Sequence, residues 1–386
     1  MARAALKLVE SHGFSREELE LPIRSEEGVV HSLHSLCSLP GDLSPEIAEY
    51  CINRFSGPDS LILDPFCGSG TVPLQASLLG RKSIASDINP LAIDYTKAKL
   101  APADIAEVAL ALHLKSFTRP VALDNYEEYF SPFYDVNTYR ELSNLQTYLS
   151  SSNDRVSNFI SAATGSLLHG HGASCFSSYS FSTVSLSPAE QRELNARRGQ
   201  YPDYRAVQSR ILKKTAGVMR DGFPSRLRNQ GAFRSVFQAD ARDLSSISNN
   251  SIDLVLSDPL MPGSKNYLDN IWLKLWFSQV SRKNLEASIT IPENLDDWLD
   301  FMNETSFEMA RVVKPGGRFI CVLSELEING VLVHDKFIES IEESLGRYWS
   351  TEVHIKTKSP SPLIAGTESR SKNDSLGKHL LVFRRR

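Results

Sequence analysis

No apolar run in the 386-residue sequence approaches the roughly 20 residues that cross a bilayer, so no membrane partner is expected. The start, MARAALKLVESHGFSREELELP, carries acids within its apolar stretch and lacks a continuous hydrophobic region. It does not read as a signal peptide, and a cytoplasmic location is the expectation. Cysteine is sparse: Cys37, Cys51, Cys67, Cys175 and Cys321 are odd in number and form no CxxC pair. That suits a reducing compartment and offers no metal set. Nor is there an excess of basic charge. The formal net charge is −4, so contact with nucleic acid has to come from a local patch. Internal repeats are missing too. With 41% hydrophobic and 23% charged residues, the chain has ample core for two to three domains, or for one α/β domain with a large insertion.

Against those absences stands one stretch, Leu61 to Asp87, LILDPFCGSGTVPLQASLLGRKSIASD. Leu61 to Asp64 has strand character, and Gly68, Ser69 and Gly70 make a small-residue turn. Thr71 to Leu79 suits a helix that Gly80 closes, and Ser83 to Asp87 reads as a second buried strand. In such a βαβ unit the glycines let the backbone approach a ligand at the head of the helix, where free N–H groups favour polar atoms. Asp87, ending the second strand, can accept hydrogen bonds from both hydroxyls of a ribose. The unit therefore reads as the site of a nucleoside-bearing cofactor. A dinucleotide fingerprint needs a third glycine and a P-loop needs a lysine, and both are missing.

Upstream, residues 1–30 read as an amphipathic helix and a turn, with Ser15 and Glu18 as a capping box for a second helical stretch. His31 and His34 in HSLHSLC would share a helix face, but no cysteine or acid completes a metal set, and a pocket wall is their expected place. Ser44-Pro45-Glu46 starts a helix that runs to about Phe55. After Asp87 another helix begins at Asn89-Pro90, and the βα alternation then stops from about 101 to 233. That insertion holds helical runs, an aromatic-rich stretch and the Ser/Gly/aromatic segment with His169 and His171, which reads as loop. Between Glu190 and Arg234 it carries eleven basic residues against four acidic ones, a balance of +7, with Tyr201, Tyr204 and Phe223 interleaved. Such a patch suits a phosphate backbone, and an insertion of this size is the natural seat of substrate recognition.

The core pattern resumes with SVFQAD (235–240) and a fourth strand, SIDLVLSDPLM (251–261). An aromatic helix, YLDNIWLKLWF, places Trp272 and Trp276 four residues apart. A helix over roughly 294–313, a Pro-Gly-Gly turn into a fifth strand, a last helix ended by Gly346 and an antiparallel hairpin close the chain. The hairpin loop, about 358 to 377, is rich in Ser, Pro, Gly and Lys and reads as mobile.

DPFCGSGT resembles the first motif of S-adenosylmethionine-dependent methyltransferases acting on exocyclic amino groups of nucleobases, DNA adenine-N6 and cytosine-N4 enzymes above all. The same wording occurs in some RNA guanine-N2 methyltransferases. HSLHSLC, LLHGHG…SLSP, the Asp-Pro string before NYLDNIWLKLWF, and VVKPGG extend the resemblance to bacterial DNA methyltransferase-like proteins across most of the chain. It implies that Asp64, Gly68 and Gly70 line the cofactor with Pro65, Phe66 and Thr71, and that Asp87, followed by Ile88, holds its ribose. Asp240, followed by Ala241, would meet the adenine amine, with Asp243 as the near alternative.

In this family Asp, Asn or Ser precedes Pro-Pro and an aromatic, whereas here the string is Asp258-Pro259-Leu260-Met261. The resemblance implies that Asp258 and the Pro259 carbonyl accept hydrogen bonds from the target amine and aim its lone pair at the sulfonium methyl. Tyr267, Phe66 or an aromatic of the insertion would replace the missing stacking face against a flipped base. In-line transfer needs no metal and no covalent intermediate.

The expected architecture is α/β, a class I methyltransferase (Rossmann-like) fold with a seven-stranded, mostly parallel sheet and an antiparallel last strand. Residues 1–100 would hold N-terminal helices and the first half of the core, 101–233 an inserted helical target-recognition lobe, and 234–386 the second half. The expected activity is methylation of an exocyclic amino group in DNA, adenine-N6 or cytosine-N4. An RNA guanine-N2 methyltransferase is the first rival, disfavoured because residues 1–55 are too short for a separate RNA-binding domain. A cofactor- and nucleic-acid-binding module with little turnover is the second, suggested by Leu260 and Met261. Neither the target base nor a restriction or defence partner is legible.

Overall fold

The computed structural model describes residues 7–11, 14–20, 30–113, 117–152, 154–224, 227, 236–358 and 377–386. Strands β1 (Lys7–Ser11), β2 (Phe14–Glu20), β3 (Leu61–Asp64), β4 (Lys82–Asp87), β5 (Val236–Gln238), β6 (Ile252–Ser257) and β7 (Val313–Ser324) appear in chain order. A small hairpin, β8 (Glu327–Ile328) and β9 (Val331–Leu332), then precedes β10 (Trp349–Lys358) and β11 (Lys378–Arg385). The main sheet runs β1-β2-β10-β11-β7-β6-β3-β4-β5. Its seven core strands, β5-β4-β3-β6-β7-β11-β10, are parallel apart from β11, which is antiparallel to both neighbours. This is the class I methyltransferase order. β3 and β6 are buried on both faces, as central parallel strands covered by helices must be.

Two N-terminal strands widen the expected seven to nine. The helical reading of residues 1–30 is corrected over 7–11 and 14–20: Ser15 and Glu18 lie in β2, and no capping box forms. β2 pairs in parallel with β10 from Val353↔Ser15 to Lys358↔Glu20, and Leu19 is buried against the sheet. Main-chain pairing along an open sheet edge outweighs the helix preference of the local Glu and Leu content. The remaining residues before 30, and most of the expected 358–377 loop, lie outside the described residues.

The helices start where local chemistry predicts. α1 (Pro45–Phe55) is capped by Ser44, whose Oγ accepts from the Ile47 N–H at 3.3 Å. α2 (Thr71–Leu78) follows the glycine turn, and α3 (Pro90–Leu100) is capped by Asn89, which accepts from the Leu91 N–H at 3.0 Å. The insertion supplies α4 (Ile105–His113), α5 (Val136–Ser150), α6 (Arg155–Gly165), α7 (Pro188–Arg198) and α8 (Val207–Val218). It does not stand apart from the core. Leu91 and Tyr95 of α3 share one continuous apolar cluster with Leu142, Phe159 and Ile211 of the insertion.

The expected aromatic helix is two short helices, α9 (Tyr267–Asn270) and α10 (Trp272–Phe277), joined at Ile271. Trp276 packs on Phe130 with ring centroids 4.5 Å apart, and Trp272 on Phe133 at 5.8 Å, so both tryptophans fasten the insertion to the core. α11 (Arg282–Ser288), α12 (Leu295–Val312) and α13 (Val333–Leu345) complete the second half. The Pro-Gly-Gly turn is absorbed within β7, where the register on β6 jumps from Ile252↔Val313 to Leu254↔Arg318. Among the described residues no helix is long and apolar enough to cross a membrane.

Candidate active site

A cavity of about 1040 Å³ opens at the carboxyl ends of β3, β4, β6 and β7. The strand order reverses there, and open α/β sheets take their ligands at such a crevice. The glycine turn forms its floor. Gly68 and Gly70 hold positive φ, +49° and +86°. A Cβ on Gly70 would lie 2.8 Å from Thr96 Oγ1 and 2.9 Å from Thr96 Cα, so only glycine lets the turn sit this close to α3. Gly70 does not line the cavity, because it faces Thr96, and the alternative Asp243 does not line it either. Asp64, Pro65, Phe66, Gly68, Thr71, Asp87, Ile88, Asp240, Ala241, Asp258, Pro259 and Tyr267 all do.

Asp87 ends β4 with both oxygens engaged: Gly68 N–H donates to Oδ2 at 3.0 Å and Asn89 N–H to Oδ1 at 2.9 Å. A carboxylate offers about four acceptor positions, so room remains for a ligand hydroxyl. Burial pushes its carboxyl up to about 6. Asp64 accepts from Ser257 Oγ at 2.6 Å and from the Phe66 N–H at 3.2 Å, and burial pushes it up to about 7. Among the described residues neither aspartate has a cation partner.

The other two aspartates differ. Lys378, from the first residue of β11, donates to Asp258 Oδ2 at 2.6 Å. Burial raises the Asp258 carboxyl, and the lysine partly offsets that. Arg242 grips Asp240 with Nε and Nη2, at 3.0 and 2.7 Å. Burial opposes the charge of Asp240, yet the guanidinium holds its carboxyl below the usual range. The Tyr267 hydroxyl accepts from Asn89 Nδ2 at 3.2 Å, which anchors this ring at the Asp87 corner. Trp298 Nε1 donates to the Leu260 carbonyl at 2.8 Å and fixes the strand exit where the family's second proline would stand.

Several cavity residues carried no motif. Asp42 accepts from the Ser69 N–H at 3.1 Å, from Ser69 Oγ at 2.5 Å and from the Leu39 N–H at 2.8 Å, so it clamps the segment before α1 onto the glycine turn. Buried Lys99 donates to the same Ser69 Oγ at 2.7 Å. Phe301 of α12 lines the cavity 5.9 Å from Phe66, ring to ring. Thr183 and Val184 are the insertion's contribution. Only the proximity of α1 to the glycine motif could have hinted at Asp42; Lys378 and Phe301 arrive from far along the chain.

The histidines singled out in sequence are structural. His31 caps a short 3-10 turn, Ser32–Ser35, by accepting from the Leu33 N–H, and His34 bonds Gln75 Oε1 at 2.9 Å. Neither lines the cavity, whose wall is built by residues 38–47 instead. His169 is buried between the Phe181 carbonyl and Ser185 Oγ, and His171 bonds Ser182 Oγ.

The basic stretch is largely spent on the protein itself. Arg192 donates to the Glu127 and Glu128 carbonyls, Arg205 to those of Cys175 and Ser177, Arg210 to those of Ala206 and Ala173, and Lys214 to that of Ser35. Arg197, Arg198 and Lys213 stay exposed, beside Tyr201 at 88% exposure. Arg226, Arg228 and Arg234 lie outside the described residues.

Residues 24–98 match the DNA methylase family (N6_N4_Mtase), a stretch spanning α1, the glycine turn, β4 and most of α3. The type II methyltransferase M.MjaII of Methanocaldococcus jannaschii is 27% identical over 148 residues, 35% of this chain and 28% of that protein. A tRNA (guanine(10)-N2)-dimethyltransferase of Methanothermobacter thermautotrophicus is 32% identical over 87 residues, 22% of this chain and 25% of that protein. The match thus spans about a quarter of the length of these curated relatives. Among solved structures, the rRNA methyltransferase aviRa from Streptomyces viridochromogenes aligns over 93% of this chain and 94% of that one, at 14% identity and a TM-score of 0.34. The fold class alone leaves the family open; the glycine-turn segment is similar to that of the DNA methylase family, and the cofactor this fold and motif serve is S-adenosylmethionine.

Proposed function

We propose that the chain methylates an exocyclic amino group of DNA, adenine N6 or cytosine N4, working in the cytoplasm where that DNA lies. The observation that carries this reading is that Asp258 and Pro259 open into the same cavity as the glycine turn and Asp87. The residues suit the cofactor. A buried and a half-buried carboxylate, neither with a cation partner among the described residues, line a cavity large enough for a nucleoside with an amino-acid arm, and that ligand carries a sulfonium and an ammonium. When bound, it supplies an electrophilic methyl group. Asp87 would hold the ribose hydroxyls, Asp240 the adenine amine, and Asp64 with the Gly68 turn the remainder.

Asp258 and the Pro259 carbonyl would each accept a hydrogen bond from the incoming NH₂. With both hydrogens held, the nitrogen lone pair points along the line of attack, so the rate gain comes from orientation and electrostatics. Phe66, Tyr267 and Phe301 surround the cavity with ring faces and edges, which supports base stacking without the family's aromatic at position 261. The insertion would read the target, with Arg197, Arg198 and Lys213 on phosphates. An RNA amino group is the second reading, favoured by the tRNA dimethyltransferase relative.

The test is transfer of labelled methyl to unmethylated genomic DNA and, in parallel, to total RNA, with Asp258→Ala as control. Label recovered as N6-methyladenine or N4-methylcytosine and lost in the variant supports the DNA reading. Label confined to RNA favours the second. Cofactor binding without label in either polymer overturns both.

A further inference from the structure

His334, His354 and His379 are far apart in the sequence and meet away from the cavity. His354 and His379 lie on adjacent antiparallel strands, β10 and β11, and project from the same face because Lys356 is the residue opposite His379. His334 comes down on them from the first turn of α13. One ring nitrogen from each lies within 4.8 Å of the other two. His354 Nε2 is 2.8 Å from His379 Nδ1, and the rings of His334 and His379 stack with centroids 3.6 Å apart. All three side chains are buried, at 4%, 6% and 2% exposure.

Their remaining nitrogens are unsatisfied. His334 Nδ1, His354 Nδ1 and His379 Nε2 are buried without a hydrogen-bond partner. Orphaned buried polar atoms are costly, and one on each of three adjoining rings leaves the cluster short of partners. A water or a carboxylate could satisfy one of them. A cation bound through one nitrogen of each ring engages all three histidines at once.

We infer that His334, His354 and His379 form a binding site for one divalent transition-metal ion of the zinc class, clamping α13 to the closing hairpin. Three imidazoles suit zinc and its first-row neighbours, while calcium and magnesium prefer oxygen. Zinc–nitrogen bonds of about 2.0–2.1 Å in a tetrahedron put ligand nitrogens roughly 3.3 Å apart. That spacing lies between the 2.8 Å of the His354–His379 pair and the 4.8 Å within which all three nitrogens fall, and binding requires the His334 and His379 rings to turn out of their stack.

The surroundings allow the added charge. Nearby Arg16 is paired with Asp335 at 3.3 Å and Lys356 with Glu325 at 2.8 Å. Asp335 Oδ1 also stands 3.8 Å from His334 Nε2, beyond a hydrogen bond but near enough to offset positive charge at the cluster. The site's place gives it a purpose. His379 follows Lys378, the residue bonded to Asp258, so an ion here would fix the strand that reaches the acceptor corner. No step of methyl transfer passes through it, and the inference stands whether the acceptor is DNA or RNA.

The experiment uses the untagged full chain, stripped with a chelator and titrated with Co²⁺ alone, then with Zn²⁺. Expected are one equivalent per chain, an intense four-coordinate Co²⁺ absorption that Zn²⁺ displaces, and a melting temperature raised by about 3 °C or more at a hundredfold excess over Kd. His379→Phe and His354→Leu should each weaken Zn²⁺ binding at least a hundredfold, while His171→Ala, outside the cluster, leaves it unchanged. X-ray absorption of the Zn²⁺-loaded wild type should count three imidazoles, which keeps the inference testable even where the variants fail to fold. Stoichiometry well below one, sulfur ligation, fewer than three imidazoles, or undiminished binding in a folded cluster variant overturns it.

Discussion

Two pairs of aspartates line one cavity and are treated in opposite ways. Asp64 is buried and Asp87 half-buried, with N–H and hydroxyl donors as their partners among the described residues, and desolvation drives their carboxyls up to about 7 and about 6. Asp258 and Asp240 each meet a cation of their own chain, Lys378 at 2.6 Å and Arg242 at 2.7 Å. The first pair leaves its charge to be balanced by whatever binds: under the proposed reading Asp87 takes the neutral ribose hydroxyls, and the net positive charge of a sulfonium nucleoside with an ammonium arm compensates both carboxylates across the low-dielectric cavity. The second pair is already balanced, and the groups assigned to it, a cofactor adenine amine and a target base amine, are neutral. The cavity is thus divided into a side that waits for a cation and a side prepared for neutral hydrogen-bond donors.

The largest effect that tests this division is on chemistry alone. Asp258→Ala should lower kcat at least a hundredfold, as removal of a positioning acceptor does, while the Kd for S-adenosylmethionine by calorimetry stays within about threefold. An equal collapse of cofactor affinity would move Asp258 to the cation-binding side and break the comparison. Gly70→Ala should act on the other side. Its Cβ meets Thr96 backbone and side chain at positive φ, which costs about 2–4 kcal/mol in urea unfolding. Because the turn seats the Gly68 bond to Asp87, cofactor affinity should fall with it.

A smaller effect follows from the raised carboxyls. In the folded apo chain Asp64 and Asp87 hold protons that an unfolded chain, with carboxyls near 3.8, has already shed. Between that value and about 7 their ionisation therefore costs the folded state, and the stability they contribute falls as pH rises. A bound cation reverses the sign, because it favours the charged form. S-adenosylmethionine should accordingly bind more tightly as pH rises through about 6 to 7, by up to about tenfold per unit for each group, and release protons on binding. Calorimetry in buffers of different ionisation enthalpy reads that release. Asp64→Asn should flatten the upper part of the profile, and a flat wild-type profile would mean that these carboxylates do not face the cation.

The glycine-turn wall of the cavity was legible in sequence because its parts are consecutive. Strand, glycine turn, helix and Asp87 fit within 27 residues, and each signal is local: an apolar run, positive φ, a cap. The mostly parallel core with its antiparallel last strand was legible through the family resemblance that this motif carries. The neutral side was not. Lys378 reaches Asp258 across 120 positions, and Phe301 faces Phe66 from another helix, so only the folded sheet brings them together. The N-terminal strands were misread because an edge pairing depends on β10, more than three hundred residues away. Net charge misled in the insertion: composition counts cations but does not show that Arg192, Arg205, Arg210 and Lys214 bind loop carbonyls.

The smallest predicted effect separates the two sides most finely. Burial raises the Asp258 carboxyl and Lys378 pulls it back. Lys378→Met removes the second influence and leaves the first, so Asp258 should keep its proton to higher pH. A protonated Asp258 offers one fewer acceptor to the target amine. At neutral pH kcat should therefore fall a few-fold, and the acid limb of the pH–kcat profile should move upward, with activity recovering in alkaline buffer. Lys378→Arg, which keeps the positive charge, should restore the wild-type limb. Cofactor affinity should be unchanged throughout, because the aspartates that receive the cation have no contact with Lys378. If Lys378→Met instead raised kcat at every pH, the lysine would be competing with the amine for Asp258, and the neutral side would be an obstructed site that the nucleic acid has to open.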